Sequence, residues 1–234
     1  MAGTISDWII ELEKAGLKNL AKKLHSEKLT DYKRLKESGL PIFYDFEVPY
    51  INFNDKNIEL LLFLSKFPEF VIRAIPKTKD LPRRYKIGVK TFGDCVSFLD
   101  SVVDQNNKEI YSVLITDYEP SKFGGVIISR KNDLIIEIGE NCNVDDLAHG
   151  KITPVGGIYK EHSFNHFKSM KYNTENETHR KLMWRVLDFL RNEVVSDSEI
   201  NTGIEFTLGY FEFVITVSDK VKFLDYKLNE MYLK

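Results

Sequence analysis

Apolar positions recur every three or four residues from Ser6 to about His25. Trp8, Ile9, Leu12, Leu17, Leu20 and Leu24 fall along one side of a helix that Ser6 or Asp7 can cap, with Gly16 as an interruption. A second helical stretch runs from Thr30 to Glu37 and stops at Ser38-Gly39, with Pro41 just beyond. Ile58 to Leu64 reads as a short buried helix, and Phe70 to Ile72 as the strand after it. Phe92 to Val103 returns to helical spacing, with Asp94 near its start. The pattern then changes to strands at Ile110–Ile115, Gly125–Ser129 and Leu134–Ile138, the last two joined at Asn132-Asp133 as an antiparallel hairpin. Helices are expected over Asn143–Gly150 and Thr178–Val194. In the second, Leu182, Met183, Val186, Leu187, Phe189 and Leu190 leave Arg180, Lys181, Arg185 and Arg191 on the polar side. A closing hairpin pairs Ile204–Val217 with Val221–Tyr226 around Ser218-Asp219-Lys220. Helices interleaved with antiparallel pieces make the class α+β.

Composition narrows the functional classes. The 234 residues are 43% hydrophobic and 12% aromatic, enough for a packed core. A net charge of -2 provides no general field for nucleic acid, although Lys77, Lys79, Arg83, Arg84, Lys86 and Lys90 form a local basic run. That run is either a solvated loop or a cover for a triphosphate, and Tyr85 and Phe92 offer rings to a base. Cys95 and Cys142 are too few for a disulfide framework or a cysteine metal site and read as small buried apolar groups. The first eight residues lack a signal peptide's charged start and apolar block, and Ile58–Ile72 is too short and too charged to span a membrane. The expectation is a cytoplasmic protein with no membrane partner.

Two segments carry the candidate chemistry. Phe70-Val71-Ile72-Arg73-Ala74 leads into Thr78-Lys79-Asp80-Leu81-Pro82, and Ser112 to Pro120 leads into Gly124-Gly125-Val126-Ile127-Ile128-Ser129. Further on, Ile135-Ile136-Glu137-Ile138-Gly139-Glu140 precedes His149-Gly150-Lys151-Ile152-Thr153-Pro154. Together they resemble the nucleotide-binding domain of phosphoenolpyruvate synthase and pyruvate phosphate dikinase, a divergent ATP-grasp type. The resemblance runs from about Lys28 to Lys227 with compressed loops. It implies two lobes of antiparallel sheet with helices and a nucleotide cleft between them: an N-terminal helix over 1–27, one lobe over 28–115 and a second over 116–234.

The same resemblance assigns residues. Lys28, separated by ten intervening residues from Gly39-Leu40-Pro41-Ile42, would touch an ATP phosphate, although the family's flanking glycines are absent and a solvated helix-end lysine reads as well. Arg73 follows its strand as the family's phosphate-binding arginine does, and a guanidinium can hold two phosphate oxygens. Ala74-Ile75-Pro76 replaces the family's serine pair, and a strand-end ion pair is the plain alternative for Arg73. Thr116 to Pro120 stands where the adenine hinge lies, with backbone groups for the base edge and Tyr118 and Glu119 as candidates; a polar loop after a strand is the alternative. Gly125 allows close approach of backbone to a ligand, or simply turns the chain.

Glu212 and Asp225 would hold Mg²⁺, with Lys227 near the transferred phosphate. Glu205 rivals Glu212, and on one regular strand their opposite parity would point only one at the site. His162 and His166 lack the glutamate of a zincin motif, and Asn176-Glu177-Thr178 is a glycosylation sequon that an intracellular chain would not use. The cofactors implied are ATP and Mg²⁺, with phosphoryl transfer to a separate protein or small-molecule acceptor. An acyl-phosphate-forming ligase would use the same parts. The alternatives are a degenerate, non-catalytic nucleotide-binding or protein-interaction module, and an unrelated α+β structural protein.

Overall fold

The computed structural model describes residues 31–78, 81, 83–130, 133–142, 144, 147, 152–160, 169–193 and 204–228. The expected helix over Ser6–His25, Lys28, the Asp80 and Pro82 positions, His149, His162 and His166 lie outside these residues, as does most of Asn143–Gly150. The described chain forms two compact units, one of Phe43–Glu119 and one that joins residues 31–42 to 120–228. Both are antiparallel sheets with helices on one face, so the α+β class holds.

In the unit Phe43–Glu119 the strands are β1 (Asp45–Pro49), β2 (Phe70–Pro76), β3 (Arg84–Val89) and β4 (Tyr111–Asp117), ordered β1-β4-β2-β3. Strand alternation sends Phe70, Ile72 and Ala74 of β2, and Val113 and Ile115 of β4, into one core. A helix over Ile58–Leu64 and another over Phe92–Val102 supply Leu60, Cys95, Phe98 and Leu99 to it. The second begins at a capping box: Thr91 Oγ1 accepts from the Asp94 N–H at 3.1 Å, and the Asp94 carboxylate accepts from the Thr91 N–H at 3.1 Å. The first helix is not the buried element its apolar run suggests. Leu60 alone is buried, while Ile58 and Leu62 are 70% and 57% exposed. Seven consecutive helical residues point around the whole axis, and only one side meets the sheet.

One backbone irregularity sets the edge of this sheet. Phe70 pairs with Val89 but Val71 with Ile87, so Gly88, at φ 74°, is an extra residue in β3. The left-handed conformation is cheap for glycine alone, and the bulge turns the strand by one position. Val89 thereby reaches the core at 1% exposure while Ile87 stays 50% exposed.

The other unit is a six-stranded sheet ordered β12-β11-β5-β6-β7-β8. Its strands are β5 (Ser121–Ser129), β6 (Asp133–Glu140), β7 (Val155–Lys160), β8 (Ser169–Tyr172), β11 (Gly209–Thr216) and β12 (Val221–Lys227). The expected β5–β6 hairpin is present, its ends clamped by Arg130 Nε and Nη2 donating to the Asp133 carboxylate at 2.7 and 3.0 Å. Helix 31–37 and helix Glu177–Leu187 cover one face, sending Leu35, Met183, Val186 and Leu187 into a core with Ile127, Ile136, Phe211, Phe213 and Phe223. Asn176 caps the second helix by accepting from the Thr178 and His179 N–H groups.

Two expected elements are cut short by tertiary pairing. The helix read to Val194 ends at Leu187, passes through a 3₁₀ turn at Asp188–Leu190, and becomes strand β9 (Arg191–Glu193). β9 pairs with β10 (Ile204–Phe206) as a separate two-stranded sheet, so the strand read as Ile204–Val217 is two strands. Helical periodicity continues through Leu190, but the ladder with β10 takes the backbone groups that another turn would need. Cys95 and Cys142 are both buried, as expected. No helix among the described residues is long and apolar enough to cross a membrane.

Candidate functional site

The chemistry gathers on β11 and β12. Their pairing runs Phe213↔Phe223, Glu212↔Asp225, Phe211↔Tyr226 and Tyr210↔Lys227, with a register shift between Glu212 and Phe213. Leu224 is therefore the extra residue of a bulge. Continued regular pairing would set Leu224 against Glu212 and send Asp225 to the core face beside Phe211. With the bulge, Tyr226 takes the core position, its ring stacked on Phe211 at 4.5 Å and 15°. Tyr210, Glu212, Asp225 and Lys227 then share the opposite face.

Each side chain there has a defined partner. Asp225 is 6% exposed; its Oδ1 accepts from the Tyr226 N–H at 3.0 Å, and its Oδ2 lies 3.3 Å from Lys227 Nζ. The Tyr210 hydroxyl donates to Glu212 Oε1 at 3.1 Å, and the Lys227 ammonium sits 5.0 Å from the Tyr210 ring centroid. Burial works against the Lys227 charge. The carboxylates of Asp225 and Glu212, the hydrogen bond to Asp225 and the charge of Asp31 outweigh it and raise the lysine pKa above its ordinary value. Asp31, 4% exposed on helix 31–37, is held by Arg34 Nη1 at 3.0 Å, and the Arg34 guanidinium lies 5.8 Å from the Tyr226 ring centroid.

Sequence reasoning missed Asp31, Arg34 and Tyr210. The signals were present: Asp31 and Arg34 are spaced i,i+3 on a helix, and Tyr210 and Glu212 are i,i+2 on a strand. Glu205 does not share a strand with Glu212. Its backbone pairs with Asn192 in the small sheet, so the parity argument between the two glutamates does not apply.

The donor set suits a hard divalent cation, since it consists of carboxylate oxygens. Among the described residues no group of three or more His, Cys, Asp or Glu side chains is placed to hold a metal. Two carboxylates are the number with which Mg²⁺ is commonly held when substrate phosphates complete its shell.

The remaining candidates have other surroundings. Gly125 faces the core: a Cβ there would lie 2.6 Å from Phe213 Cε1 and 2.8 Å from the Glu137 carbonyl oxygen. Its missing side chain makes room for the Phe213 ring. In the unit Phe43–Glu119, Val71 pairs with Thr116 and Arg73 with Leu114, which sets Arg73 and Thr116 on one face. Arg73 Nη1 donates to Thr116 Oγ1 at 3.0 Å. The Asp117 and Tyr118 N–H groups donate to the carbonyls of Tyr44 and Glu69 at 3.1 Å each, so the expected hinge is anchored within its own unit. Glu119 is half-buried. In the basic run Lys90 pairs with Glu69 at 2.9 Å, and Tyr85 is 63% exposed. Phe92 stacks on Phe53 at 5.4 Å and 11°, which gives that ring to the core.

No protein-family model and no curated protein matches the chain. Solved structures resemble it at low identity. The D-alanine-D-alanine ligase from Coxiella burnetii has TM-score 0.41 and 9% identity over 86% of this chain and 46% of that one. A RiPP-associated ATP-grasp ligase from Chryseobacterium gregarium, solved with ADP and a leader and core peptide, has TM-score 0.39 and 11% identity over 83% and 49%. The N5-carboxyaminoimidazole synthase from Aspergillus clavatus, solved with ADP and 5-aminoimidazole ribonucleotide, has TM-score 0.41 and 12% identity over 87% and 45%. The chain spans about half the length of these structures. At this level the likeness assigns neither reaction nor partner.

Proposed function

We propose that the chain binds ATP with Mg²⁺ in the manner of an ATP-grasp protein and transfers a phosphoryl group to a separate protein or small-molecule acceptor. The reading rests on one observation: Glu212 and Asp225 lie opposite each other across β11–β12, with the ammonium of Lys227 on the same face. In this reading Glu212 and Asp225 hold the metal and Lys227 binds phosphate oxygens. When bound, Mg²⁺ supplies charge neutralisation to the phosphates. The residues supply position and electrostatics, which is most of what phosphoryl transfer asks of a protein. Tyr210 orients Glu212 by its hydrogen bond, and the Tyr226 N–H orients Asp225.

Within the ATP-grasp proteins, the sequence pattern favours the phosphoenolpyruvate synthase type. Lys28, Arg73, Thr116, Tyr118, Glu119 and Gly125 remain proposed nucleotide contacts on that pattern. For Thr116 and Arg73 the proposal requires exchange of their mutual hydrogen bond, and for Gly125 it concerns backbone alone.

Calorimetric titration with ATP, with and without Mg²⁺, tests the reading. Binding should require the metal and weaken at least about tenfold in Asp225→Asn, about 1.4 kcal/mol. Arg73→Ala belongs in the same series as the strongest anion donor among the candidates of its unit. No binding at millimolar ATP with Mg²⁺ would falsify the reading.

A further inference from the structure

Resting on that reading of the β11–β12 carboxylates, we infer that Lys227 is a built-in counter-ion that occupies the cation position against Asp225, on the face it shares with Glu212, and excludes a free divalent metal until a phosphate-bearing nucleotide draws it away. The ammonium is 3.3 Å from Asp225 Oδ2, and Asp225 has a side chain only 8% exposed. Such a carboxylate without a cation would be a costly buried charge, and Lys227 supplies that cation from the same strand. The Tyr210 ring flanks the ammonium at 5.0 Å, and Asp31, pinned by Arg34, adds a third negative charge that favours it.

A divalent ion entering the same carboxylates meets the positive charge of Lys227 at close range. Two cations sharing one acidic pair repel each other in a poorly solvated place. Lysine suits the role because its charge is compact and rides on a flexible stem, and its side chain is still 30% exposed, which leaves a route outward. Triphosphate oxygens offer the ammonium a new partner, and that exchange frees Asp225 to join Glu212 at the metal. Metal binding is thereby tied to nucleotide binding.

The experiment is a Mn²⁺ titration without nucleotide, read by the electron paramagnetic resonance of free Mn²⁺. It uses the full chain and its Lys227→Met, Lys227→Gln, Lys227→Arg and Lys227→Met/Asp225→Asn variants, each checked for a cooperative melt. Lys227→Met and Lys227→Gln should bind Mn²⁺ at least tenfold more tightly than the native chain. Lys227→Arg should stay close to native, and the double variant should lose the gain. Mn²⁺ should also raise the melting temperature of Lys227→Met more than that of the native chain, since a ligand stabilises the state it binds. Equal Mn²⁺ affinity in native, Lys227→Met and Lys227→Gln proteins overturns the inference, as does a gain that survives Asp225→Asn. A parallel titration of the native chain and of Asp225→Asn with ATP and Mn²⁺ separates the two readings. Asp225-dependent binding there, with no gain in the lysine variants, leaves the proposed function standing and removes only the counter-ion role. No binding there in any form removes both.

Discussion

The two sheets use the same backbone device for different ends. In β3 the extra residue is Gly88, and the bulge carries Val89 into the core of its unit. In β12 the extra residue is Leu224, and the bulge carries Asp225 away from the core of its unit to stand opposite Glu212. One bulge completes packing and the other brings two carboxylates to a shared face. A bulge has no function of its own; it moves the strand by one position, and the residue it delivers decides the result.

Reversing the chemistry at the delivered position breaks the comparison most strongly. Val89→Asp would place an unpaired carboxylate at a site 1% exposed, and about 3–5 kcal/mol of stability should disappear in urea denaturation. A loss under about 1 kcal/mol would mean that the β3 bulge does not hold Val89 inward. The same core carries a titration signature. Burial, with Asp94 adding to it, pushes the Cys95 thiol up to about 11. A raised thiol pKa leaves the native form neutral, so its stabilising effect is complete below the unfolded thiol pKa and is lost as pH rises through the folded value. Between about pH 9 and 11 the native chain should therefore lose roughly 2–3 kcal/mol more stability than Cys95→Ala. Identical pH profiles of the two proteins would refute the buried-thiol reading.

Gly88→Val comes next. A β-branched residue at φ 74° is strained, and the variant should lose about 1–2 kcal/mol, measured by the urea midpoint, with nucleotide binding unchanged. On the β12 side the loss should appear in binding. Asp225→Asn should weaken ATP·Mg²⁺ about tenfold, equivalent to about 1.4 kcal/mol by calorimetry, and an unaltered affinity would sink the carboxylate assignment. Smallest of all, Leu224→Ala should cost only about 0.5 kcal/mol, because the bulge residue is 38% exposed while its neighbour Asp225 is buried. A large binding defect in that variant would show that the bulge residue itself touches ligand.

How much was legible follows from the reach of each interaction. The helix over Phe92–Val102 was readable because its period, with Asp94 near its start, is local; the Thr91 half of its cap came with the structure. The β5–β6 hairpin was readable because a short turn sets its register. The helix read to Val194 was overextended because nothing near Arg191 in the chain announces β10. Gly125 drew attention as a point of ligand approach, but its missing side chain answers to Phe213, far along the chain. Asp31 is not legible in the sequence, because a lone aspartate on a helix acquires meaning only from the charge it adds to the surroundings of Lys227.

Sequence alone therefore determined most of the periodic elements, the α+β class and the residue types that could meet a phosphate or a metal. Those properties depend on dihedral preference and on spacing along one segment. Tertiary structure decided which face each residue occupies, because a face depends on the register against a partner strand, and one unpaired residue reverses it. Leu224 is that residue for the candidate site. Its bulge separates Asp225 as a buried misfit beside Phe211 from Asp225 as the partner of Glu212 and Lys227.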